Sequence, residues 1–349
     1  MQQNSLQHRY SHVLNNVFLE AIAYDLPPFV VSSESIVEHL EPTSRRLGLD
    51  AGQIMTATGV EERRFWSRDT TIASAATVAS RKAIAKSGID PREIGALVST
   101  SVCKDYVEPS VASMVHGELG LSPGCLNLDV GNACLGFLNG IALVADLIEL
   151  GRIRAGVVVD AESSREVVEA TLARLSRPDV RIEDLRLNFP TLTLGSGAVA
   201  VVLTHRDVGR RRHRLVGHVS LADTVHRHLC VGKPQEMLVH AQELLKAGLM
   251  LARQTWGMGQ RLLGWSSTNL DFIVGHQVGA KHFARLFELF GLDQARTFVT
   301  YPFLGNVGPA SIPLTLAIAE ERGLVRPGYR LGLMGIGSGL NCLMMEIEW

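Results

Sequence analysis

The sequence predicts an α/β protein built from two like halves, and three observations lead there. Short apolar runs with strand character alternate with longer stretches of helical composition along most of the chain. Some of those runs, GVVVD at residues 156–160 and AVAVVL at 198–203, are apolar without alternation, as strands covered on both faces are. One helix-and-strand unit also occurs twice, at residues 131–162 and 305–337. Each copy opens on Gly-Asn at the mouth of a small-residue helix, passes a charged end with glycine and a short basic link, and closes on an apolar strand. Two unrelated αβ units are the alternative, because such units recur in α/β proteins.

In chain order, residues 74–87 read as a helix stopped by Gly88, followed by a strand at 96–101. A second strand at 126–130 leads into a buried helix at 135–150 that ends at Gly151, and strands at 156–160 and 198–203 follow. Residues 165–190 are charged and irregular and read as surface helices and loops. In the second half, 216–222 reads as a strand and 236–263 as one long helix broken near Gly257 and Gly259. A strand at 272–274, a helix at 281–290 stopped by Gly291, a helix at 307–322 ending at Gly323, and strands at 331–336 and 343–347 complete the series.

Composition narrows the function classes. The 349 residues are 46% hydrophobic and 20% charged, which reads as a globular protein with a large core. A formal net charge of −1 gives no basic excess for nucleic acid. The longest basic run, residues 210–214, reads as a solvated turn. No apolar run is long enough for a membrane span, and the polar residues 1–16 lack the apolar core of a secretory signal. Five cysteines, an odd number with no CxxC pair, point to a reduced cytoplasmic protein without structural zinc.

Of those cysteines, Cys134 has a chemical setting. It follows a strand (LNLDV) and a short turn (GNA) at the first turn of an apolar helix, where unpaired N–H groups and the helix dipole favour thiolate. The alternative is a buried small hydrophobe, which is how Cys103, Cys125, Cys230 and Cys342 are read. His276, one of twelve histidines, ends the strand FIVGH, a position that in α/β proteins faces the site crevice. Its imidazole can donate to a thioester oxygen or exchange a proton, or it can be structural. Asn306 in GNVGPAS offers an amide to a developing oxyanion, or caps a helix. The glycine-rich turn GIGSGLN at 335–341 can supply backbone N–H groups or be a tight turn only.

Taken together, Cys134 in NACLGF, His276 in GHQ, Asn306 in GNVGPAS and a closing GSG turn resemble, in order and context, the Cys–His–Asn set of the ketoacyl synthase III branch of the thiolase superfamily. The resemblance runs from ATGVEERRFW at residues 57–66 to the C-terminus. Within that branch the chain is most similar to the OleA family of acyl-CoA condensing enzymes, through TSVCKDYVEPS, NACLGFLNG, VVVDAESS, HQV, GNVGPASIPL and GIGSGLNC.

The resemblance implies a thiolase-like fold, two duplicated α/β halves in a five-layered αβαβα arrangement, with the halves at 1–207 and 208–349. It implies an acyltransferase that condenses two fatty acyl-CoAs, without decarboxylation, to a β-keto acid through an acyl-Cys134 intermediate. Cys134 and Gly339 would supply oxyanion N–H groups, and His276 and Asn306 would hold the thioester oxygen. Glu108, otherwise a loop carboxylate before a helix that starts near Ser110, would act as base in a neighbouring subunit's site. That crossing requires a dimer, homomeric or heteromeric, with residues 119–130 at its interface.

By family position Arg63, Arg64 and Trp66 lie near the coenzyme A entrance; a surface salt-bridge cluster is the alternative. No metal or redox cofactor is implied, only coenzyme A thioesters as substrates. The sequence departs from the family at Tyr301-Pro302-Phe303-Leu304, which is expected to reshape the pocket beside Asn306. Rival readings are a malonyl-dependent 3-oxoacyl-ACP synthase III, a catalytically silent acyl-binding partner subunit, and a simple thioester hydrolase.

Overall fold

A computed structural model describes residues 11–210 and 212–349. The polar residues 1–10 and Arg211 of the basic run lie outside the described residues. Strands β1 (Ser11–Val13) and β2 (Val17–Asp25) come first. A hairpin follows, β3 (Phe29–Ser32) with β4 (Glu62–Phe65), then β5 (Ile94–Ser99), β6 (Leu126–Asp129), β7 (Ala155–Glu162) and β8 (Gly197–His205). The second half holds β9 (His213–Ala222), the hairpin β10 (Cys230–Lys233) with β11 (Glu236–Val239), β12 (Phe272–Gly275), β13 (Arg330–Gly337) and β14 (Asn341–Glu348).

The two halves share a topology. In the first, the strand order is β6-β5-β7-β8-β2, with β5, β6 and β7 parallel and β8 and β2 antiparallel additions. In the second it is β12-β13-β14-β9, with β12 parallel to β13 and the rest antiparallel. The sheets join where Phe18 and Leu19 of β2 pair with Arg214 and His213 of β9. Strand β1 belongs by sequence to the first half but pairs with β9 of the second.

Alternation along the strands fixes the layers. Val98, Val158, Val199 and Val201 face the same core as Val274, Leu333, Leu343 and Met345 of the other half. Between these two faces lie the helices Gly136–Glu149 and Ser311–Glu321, each the helix of one copy of the repeated unit. The opposite face of the first half, with Leu97, Val157, Val159 and Ala200, packs on the helices Ile72–Ser87 and Val111–Leu119. The opposite face of the second, with Ile273, Met334 and Met344, packs on Ala241–Leu262 and Ala280–Phe290. The result is five layers, helix–sheet–helix–sheet–helix. Both faces of each sheet are dry, so at roughly 1.5–3 kcal/mol per fully buried Val or Leu the continuous apolar runs are what this architecture requires.

Three expectations change. Residues 236–239 form strand β11 and not the start of a helix: EMLV pairs antiparallel with β10, and the helix begins at Ala241. That helix runs unbroken through Gly257 and Gly259, because Trp265 packs over Gly259 and would lie 3.1 Å from a Cβ there. Residues 165–190 do form helices, Arg165–Leu175 and Ile182–Asn188, but these bury Val168, Leu175 and Leu185, with Phe189 just after them, in a fourth cluster with Ile36, Leu40 and Phe65. Among the described residues no helix is long and apolar enough to cross a membrane.

Candidate active site

The nucleophile candidate sits on a strained turn between β6 and the first central helix. The chain leaves β6 at Asp129, and Ala133 takes φ 44°, the one non-glycine residue with positive φ among those described. Leu135 and Gly136 donate their N–H groups to Asn132 and Ala133 carbonyls, and the helix begins at Gly136. Cys134 therefore precedes the helix instead of lying in its first turn. Its backbone N–H donates to no carbonyl within the turn.

The turn is also tied to the other half. Asn341 Nδ2 donates to Asn132 Oδ1 at 3.1 Å, Asn132 Nδ2 donates to Asn139 Oδ1 at 2.8 Å, and Gly337 lies so close that a Cβ would meet Leu135 N at 3.0 Å. The GSG turn thus reaches the cysteine turn. Gly339 takes φ 140° in that turn.

His276 follows β12 directly, and its N–H bonds the Met334 carbonyl of β13, three residues before Gly337. The ring is buried, and its Nδ1 has no hydrogen-bond partner among the described residues. Burial, with His282 nearby, lowers its pKa to about 4, so the imidazole is neutral near pH 7. Asn306 is held by its backbone: its N–H donates to Thr193 O and its carbonyl accepts from Gly195 N, both at 2.9 Å. Its Oδ1 accepts from Gly308 N at 3.0 Å and Ser311 Oγ at 3.4 Å, which fixes the amide with Nδ2 as the free donor. Gly305, at φ 67°, is required here, since a Cβ would lie 2.4 Å from Thr193 O.

Electrostatically the cysteine differs from expectation. Burial, with small contributions from Cys230, Glu162 and Asp160, pushes Cys134 up to about 12, so the free protein holds it as a thiol. Desolvation outweighs the helix dipole, and a thiolate needs a base to take the proton. A neutral imidazole is suited to that. Cys230, read as structural, borders the site: it is near enough to raise Cys134 and hydrogen-bonds Ser338 of the GSG turn.

Glu108 is placed apart from these residues. It lies at the exposed tip of the segment 101–110, where Tyr106 is 55% and Val107 98% exposed, both high for apolar side chains. The root of the segment is pinned. Asp105 accepts from Ile72 and Ala73 N–H at a helix N-terminus, and Asp129 accepts from Lys104 Nζ and from Val111 and Ala112 N–H.

Of the three residues assigned to the coenzyme A entrance, Arg63 and Trp66 are buried and Arg64 is half-buried. Arg63 is 0% exposed and donates to Val31 O, Ser33 Oγ and Leu192 O. Its Cβ lies 3.3 Å from where a Gly305 Cβ would be, so it is a post beneath the Asn306 turn. Trp66 is buried and donates Nε1 to the Glu162 carbonyl. Arg64 is half-buried and bonds Pro27 O. A surface ion cluster does not describe Arg63 and Trp66: pairing of β3 with β4 turns Arg63 inward with Phe65, and Trp66 is buried just past the strand. The Tyr301–Leu304 segment is a helical turn whose Leu304 is buried and whose Phe303 packs on Phe298, so it supports the Asn306 turn from the core.

Sequence reasoning missed Asp160 and Glu162. Both lie on one face of β7, fully buried, with Thr100 Oγ1 donating to Asp160 Oδ2 at 2.6 Å. Burial lifts Glu162 to about 7, against hydrogen bonds from Cys103 and Val102, and burial beside Glu162 lifts Asp160 well above the carboxylate range. The signal was present as D-A-E inside an apolar strand covered on both faces, where a carboxyl needs a reason.

Comparison with known proteins adds to this geometry. An acyl-CoA:acyl-CoA alkyltransferase of Xanthomonas campestris pv. campestris is 40% identical over 337 residues, covering 97% of this chain and all of the relative. The chain belongs to the acyl-CoA:acyl-CoA alkyltransferase (OleA) family. A Shewanella oneidensis member is 39% identical over 347 residues, covering 96% of this chain and 99% of that one. A β-ketoacyl-[acyl-carrier-protein] synthase III of Jannaschia is 27% identical over 306 residues. Residues 261–349 match the family described as 3-oxoacyl-[acyl-carrier-protein] synthase III C terminal.

Among solved structures, a cysteine-to-serine variant of Xanthomonas campestris OleA with bound lauric acid and lauroyl-CoA superposes with a TM-score of 0.94 at 39% identity, covering 96% of this chain and all of that one. The cerulenin-bound form of the same protein gives 0.94, covering 97% and 98%. The fold is that of the OleA family, thiolase-like.

Proposed function

We propose that this chain joins two fatty acyl-CoAs by non-decarboxylative Claisen condensation to a β-keto acid, working as a dimer. The observation that carries the reading is full-length likeness to acyl-CoA:acyl-CoA alkyltransferases, in a chain whose Cys134, His276 and Asn306 turns all lie at one end of the sheets.

In the first half-reaction Cys134 Sγ attacks an acyl thioester while His276 takes its proton, and coenzyme A leaves. The backbone N–H groups of Cys134 and Gly339 stabilise the oxyanion. In the second, Glu108 of the partner copy removes an α-proton from a second acyl-CoA. The enolate oxygen is held by the His276 imidazole and Asn306 Nδ2, and its carbon attacks the acyl group on Cys134. Sγ departs, and the remaining thioester is hydrolysed. With no carbon dioxide lost, a base is required, and Glu108 is the exposed carboxylate that could serve it. The apolar Tyr106 and Val107 beside it, together with the unpaired edge of β6 and its half-exposed Leu126, supply a surface for a second copy.

The test is incubation with two long-chain acyl-CoAs and mass analysis for a β-keto acid or the ketone formed from it. Cys134→Ala should lose both the acyl-enzyme and the product. Product formed only from a malonyl thioester, with release of carbon dioxide, would overturn the reading in favour of a ketoacyl synthase III.

A further inference from the structure

Glu162 contacts three parts of the site and is used by none of the steps above. Its Oε1 accepts from Val102 N at 2.6 Å and its Oε2 from Cys103 N at 3.2 Å, so both oxygens are spent on the root of the segment that carries Glu108. Cys103 Sγ donates to Ser163 O, which closes the same link from the other side. The Glu162 side chain also packs beside Gly308 of the Asn306 turn, 3.7 Å from where its Cβ would be. Its own carbonyl is held by Trp66 Nε1 at 3.0 Å. Past residue 103 the chain is pinned through Lys104 and Asp105, and only then rises to the exposed tip.

We infer that Glu162 is the positioning residue for the proposed base: by holding the Val102 and Cys103 amides it fixes the root of the loop and thereby the direction in which Glu108 is presented. The inference rests on the reading of Glu108 given above. A buried carboxylate is a costly anchor, and one that accepts two backbone N–H groups is correspondingly stiff. A residue tuned to Cys134 alone would have no need to spend both oxygens on the other loop.

The experiment separates the half-reactions. Stoichiometric release of coenzyme A from one acyl-CoA reads acylation of Cys134, and β-keto acid formation reads condensation. With Glu162→Ala, acylation should stay within about threefold of the parent while condensation falls about tenfold or more, the range expected for losing two buried hydrogen bonds. Glu162→Gln retains one acceptor oxygen and should fall between; if the alanine variant does not fold, this one decides. Combined with Glu108→Ala, Glu162→Ala should cause no further loss in condensation, because both act through one group.

Acylation falling in step with condensation, unchanged condensation, or multiplying effects in the double variant would each overturn the inference. Glu108→Ala alone distinguishes the two levels. If it condenses at the parent rate, the base assignment fails and this inference with it. If it stops condensation while Glu162→Ala does not, only the inference fails.

Discussion

The two helix mouths of the repeated unit start from the same Gly-Asn and end in different chemistry. At Gly131-Asn132 the chain enters its helix almost at once, through Ala133 at φ 44°, and the asparagine side chain is consumed in bonds to Asn139 and Asn341. What the turn presents is the next free side chain, Cys134. At Gly305-Asn306 the turn Gly308–Ala310 is interposed before the helix, and the asparagine Oδ1 is occupied by Gly308 and Ser311. What this turn presents is the asparagine itself, donor side outward. With the roles proposed above, one copy of the unit would supply the nucleophile and the other a hydrogen-bond donor, because one short turn decides which side chain its own backbone consumes.

The contrast can be broken at several points. Asn306→Ala should have the largest effect on rate: loss of one preorganised donor costs ~10²–10³-fold in condensation, and acylation of Cys134 measured by coenzyme A release should change far less. Asn306→Asp, without the donor, should fare no better. Equal loss in both half-reactions would show that the two mouths do not divide the chemistry.

Gly305→Ala should destabilise by roughly 2–4 kcal/mol, since a Cβ would lie 2.4 Å from Thr193 O at positive φ, read as a lower midpoint in urea unfolding. Arg63→Met tests the post beneath that mouth. It removes donors from Val31 O and Leu192 O and should cost about 2–3 kcal/mol of stability. The KM for acyl-CoA should not move, which an entrance residue would contradict.

The smallest effect concerns pH. His276 is lowered to about 4 from an ordinary 6.5, so the unfolded chain binds its proton first. The neutral, buried ring is accommodated fully above pH 6.5, and stability is lost as pH falls from there toward 4. By pH 5 the parent should have lost about 2 kcal/mol that His276→Asn does not lose. Urea midpoints at pH 7.5 and 5 measure this, and parallel declines in both proteins would refute it.

Much of the fold was legible because its signals are local. Gly88, Gly151 and Gly291 each stop a helix with positive φ, and the unbroken apolar runs of β7 and β8 announce sheets covered on both faces. Strand β11 and the unbroken helix after it were less legible, because a four-residue strand beside a long amphipathic helix has little periodicity of its own and depends on its partner β10. The central strand β2 drew no sequence assignment at all, and its pairing with β8 spans most of the first half.

By itself the sequence determined the residue types and their order: a cysteine, a histidine and an asparagine, each at the end of a strand or the mouth of a helix, where exposed backbone groups and short turns leave a side chain free. Tertiary packing alone decided their states. It pushed Cys134 up to about 12 and His276 down to about 4, and it turned Arg63 from a surface cation into a buried post. It also put Asp160 and Glu162 under the site. Desolvation and hydrogen-bond partners come from residues about thirty to more than a hundred positions away, and no local pattern carries them.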